Sequence, residues 1–126
     1  MQPGLASGDW LLFTYWEDGL LAQIIGEEGL ASLASHGRVP QRFHHKLEKR
    51  AQSLVGKVLL IEREAQPGLF QVKRVVRILE STRGEYMFWV EGDNKEASTD
   101  SRTWGAVSAA EVKGVARFRY RRSRQQ

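Results

Sequence analysis

The spacing of apolar and polar positions along the chain predicts five strands and one stretch of different character. Residues 9–16 (DWLLFTYW) are rich in aromatics and follow the turn-forming pair Ser7-Gly8, so they read as the first strand. Residues 54–61 give the second. Residues 69–79 (LFQVKRVVRIL) give the third, with long cations set between Val and Ile. Residues 85–90 (EYMFWV) follow the turn signal Thr82-Arg83-Gly84 and make the fourth. Residues 115–120, after Gly114, make the fifth. There Ala116, Phe118 and Tyr120 alternate with Arg117, Arg119 and Arg121, as a half-buried strand requires.

Between the first two strands, residues 20–53 carry three Gly, all three His and two helix-like patches. In the second patch Phe43 and Leu47 stand four apart and Leu54 lies two turns further on, while Lys46, Glu48, Lys49 and Arg50 fill the other faces. The expectation is a mostly β fold, with residues 20–53 as a partly helical insertion or lid. The domain is expected to span residues 1–120, with a basic tail at 121–126.

Composition narrows the function classes. A chain of 126 residues with 41% hydrophobic and 27% charged residues fits one globular domain. It has no cysteine, which excludes a disulfide scaffold, a thiolate metal site and a cysteine nucleophile. The longest aliphatic run, Val58-Leu59-Leu60-Ile61, is far short of the roughly 20 residues that span a bilayer. The formal charge of +4 suggests nucleic acid at first, but five arginines lie in the last ten residues. Without them 14 basic residues face 15 acidic ones. The body is neutral, and no nucleic-acid partner is expected. His44 and His45 are adjacent and cannot converge on one ion from a helix, so no metal site is expected either.

Two features could carry chemistry. Residues 92–105 (GDNKEASTDSRTWG) read plainly as a polar loop between strands, with Asp100 and Arg102 as a surface ion pair. The apolar strand before it and Trp104 after it instead suggest a structured, hydrogen-bonded loop folded back over the core. Lys73, between valines on a core strand, either snorkels to water or is buried. A buried amine has a lowered pKa and can serve as a general base.

Three blocks in this order resemble the type I signal peptidases, serine endopeptidases with a Ser/Lys dyad. Met1-Gln2-Pro3-Gly4-Leu5 with Gly8-Asp9 is similar to the family's Ser-Met-x-Pro-Thr-Leu box and its trailing Gly-Asp. Val72-Lys73-Arg74-Val75-Val76 resembles the box of the lysine base. Residues 92–105 match the family's Gly-Asp-Asn…Ser-x-Asp-Ser-Arg…Trp-Gly box almost throughout. The resemblance covers about residues 1–18 and 54–120. It implies that Lys73 is the general base and that Ser98 orients its amine. It also implies that Asp100 and Arg102 pair to hold the loop, that Arg74, Asp93 and Asn94 are structural, and that Met1 and Pro3 border the bound substrate. No cofactor is implied.

Gly4 stands where the family usually has Thr, and Ala106 where Pro is common. The nucleophilic serine of the family immediately precedes the Met of the first box, and here that Met is residue 1. The expectation is therefore a chain that lacks its nucleophile as written, with the serine, oxyanion donors and a membrane anchor upstream. Ser7, in a Ser-Gly-Asp turn, is a poor substitute. The resemblance implies a precursor protein or peptide as substrate and a catalytic domain on the extracytoplasmic side of a membrane. Two alternatives stand beside general signal-peptide removal: a dedicated maturation protease of the same fold, and an inactive remnant acting as a binding domain.

Overall fold

In the computed structural model, residues 10–81, 84–93 and 99–120 are described. Six strands form a single antiparallel sheet: β1 (Trp10–Phe13), β2 (Val58–Glu62), β3 (Phe70–Glu80), β4 (Tyr86–Glu91), β5 (Val107–Ser108) and β6 (Val112–Tyr120). Their spatial order is β1-β6-β2-β3-β4-β5. Helices α1 (Gly19–His36) and α2 (His44–Ser53) separate β1 from β2, joined by a 3-10 turn at Gln41–Phe43. A short helix, α3 (Ser101–Trp104), and a 3-10 turn at Ala109–Glu111 flank β5. The fold is mostly β, in agreement with the expected signal-peptidase-like class.

One face of the sheet carries the core. Leu59 and Ile61 of β2, Val75 of β3, Phe88 and Val90 of β4, and Val112 and Val115 of β6 meet the apolar sides of the helices there. From residues 20–53, Leu20, Leu21, Ile24, Ile25, Leu33 and Leu47 are buried in the same cluster. Removing such large apolar side chains from water is the main stabilising term in a fold of this size. These helices thus form one wall of the core. The buried positions in the first half of α1, Leu20, Leu21, Ile24 and Ile25, share one side of the helix, while Gln23 and Glu27 are exposed. The helix breaks at Gly26, which takes φ 68° and ψ −173°.

The strand limits differ from the sequence reading for local physical reasons. Residues 54–61 were expected as one strand, yet Leu54 caps α2 and β2 starts at Val58. Ala51 and Leu54 continue the helical spacing of buried positions, and Gly56 (φ 84°) then turns the chain into the strand. The first strand is shorter than 9–16, although Thr14 and Trp16 still donate backbone hydrogen bonds to Val115 and Lys113 carbonyls at 3.0 and 2.7 Å. The last strand begins at Val112, ahead of Gly114, which was read as a break.

Gly114 is inside the strand because another piece of backbone crosses it. A Cβ there would lie 2.0 Å from the Thr14 carbonyl oxygen. Gly114→Ala must push the end of β1 away from β6, and we expect a loss of about 1–3 kcal/mol in urea unfolding at unchanged secondary structure. An unchanged midpoint would show that this crossing yields without cost.

Candidate active site

Lys73 sits near the start of β3, where successive side chains go to opposite faces. It shares the core-facing row with Val75, while Val72 and Val76 on either side are exposed. The lysine is only 9% exposed. In register it lies across from Leu59 of β2. On its other side β3 pairs with β4 up to Arg74 opposite Glu91, so Lys73 and Gly92 are the next residues on the two strands. Burial holds the Lys73 ammonium below its ordinary pKa; the Asp100 carboxylate opposes that shift and the Arg102 guanidinium adds to it.

Asp100 is the hub beside this position. Its side chain is 1% exposed. One carboxylate oxygen, Oδ2, accepts from the Gly92 backbone N–H at 2.9 Å and from Arg102 Nη2 at 2.7 Å. The other, Oδ1, accepts from the Arg102 backbone N–H and from Arg102 Nε, each at 3.0 Å. Four donors on two oxygens, two of them from a guanidinium, hold the Asp100 carboxyl well below the usual carboxylate range. The bond to Arg102 N also makes Asp100 the N-cap of α3.

The next residue, Ser101, is equally buried, and its Oγ accepts from the Val90 N–H at 2.8 Å. Val90 and Gly92 are two apart on a strand, so their N–H groups point to the same side. On that side β5 pairs only with Met87 and Phe88. Asp100 and Ser101 therefore satisfy the backbone donors that β5 does not reach, which a buried strand edge requires. The segment after 92 is tied back to β4 by side chains. Trp104 closes the turn, packing on the core with the Arg63 guanidinium over its ring at 4.3 Å.

Arg74 points to the opposite face from Lys73 and grips Asp93 in a two-pronged pair, Nε to Oδ1 and Nη2 to Oδ2, both 3.1 Å. Its Nη1 donates to the Gly56 carbonyl at 2.9 Å. One guanidinium thus joins the entry to β2, the start of β3 and the exit of β4. The fork needs arginine, because a lysine ammonium cannot make the parallel pair.

Of the residues singled out in the sequence, Lys73, Asp100 and Arg102 come together on one side of the β3–β4 pair, and Arg74 meets Asp93 on the other. Met1, Pro3, Asn94 and Ser98 lie outside the described residues, as do Gly4, Ser7 and the 121–126 tail. Two partnerships escaped the sequence reading. The Arg74–Asp93 pair joins residues nineteen apart in sequence, and only the strand register brings them level. Ser101 stands in the Ser-x-Asp-Ser-Arg run, and its place next to an N-cap aspartate was the available signal. Among the described residues there is no group of three or more potential metal ligands.

Residues 80–121 match the signal peptidase family, peptidase S26. The match bears out the family resemblance. It takes in β4, the 92–105 loop, α3, β5 and β6, about a third of the chain. Neither the curated proteins nor the solved structures hold a significant match. The signal peptidase segment thus contains Asp100, Ser101 and Arg102, and β3 brings Lys73 to it from outside the matched residues. The family is one of peptidases that act on precursor proteins or peptides, and it is membrane-associated. Among the described residues no helix is long and apolar enough to cross a membrane.

Proposed function

We propose that this chain is the catalytic part of a serine endopeptidase of the signal peptidase I type, working through a Ser/Lys dyad. The observation that carries this reading is the buried Lys73, its ammonium disfavoured by burial, beside an Asp100–Arg102 unit that lies in the family-matched segment. The nucleophile it calls for is a serine placed directly ahead of Met1. Residues 20–53 are an insertion relative to compact family members, and Asn94 supports the loop that carries Ser98.

In this mechanism the serine hydroxyl adds to the scissile carbonyl while its proton passes to the neutral Lys73 amine. The C–N bond breaks, the Lys73 ammonium returns that proton to the leaving amine, and an acyl-enzyme remains. Water then attacks the ester, again giving its proton to Lys73, and the serine recovers its hydrogen as the acid leaves. Ser98 accepts or donates at the lysine amine and fixes its direction. The substrate lies as an added strand along the site. Precursors cut after small residues are the substrate class.

The test is a cleavage assay on an Ala-x-Ala precursor peptide. A chain extended ahead of Met1 by a serine and a preceding residue that completes the oxyanion donors should cleave it, and the same chain with alanine in place of that serine should not. Ser98→Ala in the serine form should slow cleavage by about 10- to 100-fold, since the base is left but not aimed. Equal cleavage by the serine and alanine forms would remove the dyad reading.

A further inference from the structure

The helical segment holds a second site, independent of the protease reading. Between α1, α2 and the β6 end of the sheet lies an open cavity of about 650 Å3, within the range of small-ligand sites. Its lining includes Lys46, Lys49 and Arg50 from α2, Arg117 from β6, and Trp16 and Ile24. Among the described residues no Asp or Glu lines it.

The positions on α2 make this more than a solvated charge run. Residues 46, 49 and 50 are spaced i, i+3, i+4 and so share one face of the helix. On an ordinary exposed face such cations have carboxylates three or four residues away. Here none of the three has an Asp or Glu at either spacing. Their mutual repulsion disfavours the helix, and Arg117 adds a fourth positive charge from another element. Among the described residues none of the four meets a carboxylate within ion-pair distance. Trp16 forms an aromatic wall, with the Arg50 guanidinium 5.9 Å from its ring centre.

We propose that this groove binds a phosphate-bearing ligand, its phosphate held by Lys46, Lys49, Arg50 and Arg117 and its remainder lying against Trp16 and Ile24. Two guanidinium forks and two ammonium groups suit the several oxygens of a phosphate better than a single carboxylate. A bound anion removes the repulsion that the sequence leaves uncompensated. The same chemistry could come from a soluble phosphate compound or from the headgroup of an anionic lipid.

The experiment uses the full chain with Arg121→Gln, Arg122→Gln and Arg124→Gln, so that the terminal arginines do not contribute. Titration calorimetry with inorganic pyrophosphate at low salt, and flotation with phosphatidylglycerol against phosphatidylcholine vesicles, test the two sources. Binding of pyrophosphate alone indicates a soluble ligand, and binding of phosphatidylglycerol vesicles alone indicates a headgroup; either supports the site. Adding Lys49→Gln and Arg117→Gln, both exposed positions, should weaken that binding by at least tenfold with the unfolding midpoint kept or raised. The proposal is overturned if neither probe binds, if the double substitution leaves affinity unchanged, or if a polyglutamate peptide binds more tightly than pyrophosphate.

Discussion

Lys73→Met in a chain carrying serine ahead of Met1 should lower kcat/KM for a precursor peptide by about a thousandfold or more, with the fold intact. The size follows from removing the only group proposed to take the serine proton, since general-base assistance contributes about 10²–10⁴. The intact fold follows from the burial of this side chain. Lys73 shares the core-facing row with Val75 and is 9% exposed, so a methionine of similar length fills its place without desolvating an amine. Loss of activity with equal or higher stability marks a group kept for chemistry at a cost in stability. Cleavage at the parent rate in this variant would end the dyad reading, and loss of folding would show that the ammonium has a structural role.

The pH dependence has a definite sign. The base acts when neutral, so kcat/KM falls as pH drops through the Lys73 pKa. Burial moves that value below the ordinary 10.5, so the acid limb of the profile should lie on the low side of 10.5. Stability is linked in the same direction. Between the folded and unfolded pKa values the unfolded chain binds more protons at this lysine, so stability rises with pH across that window. Below the folded value both states are protonated and the full cost of burying the ammonium remains. The gain in stability of Lys73→Met over the parent should accordingly shrink as pH rises toward 10.5 in parallel urea titrations.

The strands were legible because their apolar runs are long. Residues 69–79 and 85–90 differ from β3 and β4 by one residue at each end. Strand periodicity could not show which row faces the core, since Val72, Lys73, Val75 and Val76 offer no alternation of apolar and polar positions. Burial settles it: Lys73 and Val75, two apart, share the inward row, and a bulge at Val76 then shifts the register so that Ile78 comes to the core side. The polar 92–105 loop gave its family readily, but the helix inside it was hidden. Ser101–Trp104 has no apolar spacing; one aspartate cap and the backbone of β4 hold it. The Asp100–Arg102 pair was anticipated, although one partner is far from the surface. Its aspartate is buried because it completes the strand edge, a demand that only the pairing of β4 with a two-residue β5 creates.

Asp100→Ala should be the most destabilising single change in the site, by about 2–4 kcal/mol in urea unfolding at pH 7. It strips the N-cap from α3, worth about 1 kcal/mol, and leaves the buried Gly92 N–H without its acceptor, worth about 1–3 kcal/mol. Asp100→Asn should not rescue it, because each carboxylate oxygen accepts from two donors and an amide would turn its own N–H groups toward one such pair. The charge contribution also has a pH signature. Asp100 is held below its ordinary 3.8, so the stability it supplies is fully present above that value and is lost as pH falls toward the folded pKa. The deficit of Asp100→Asn relative to the parent should therefore narrow in melts taken at successively lower pH below about 4. In the serine-bearing chain the same substitution removes the Asp100 charge, which raises the Lys73 pKa, and leaves Arg102, which lowers it. The acid limb of the cleavage profile should then move to lower pH even as the protein weakens. A deficit that stays constant down to pH 2, with the acid limb unmoved, would mean that Asp100 acts through shape and hydrogen bonds alone and that its charge does not reach Lys73.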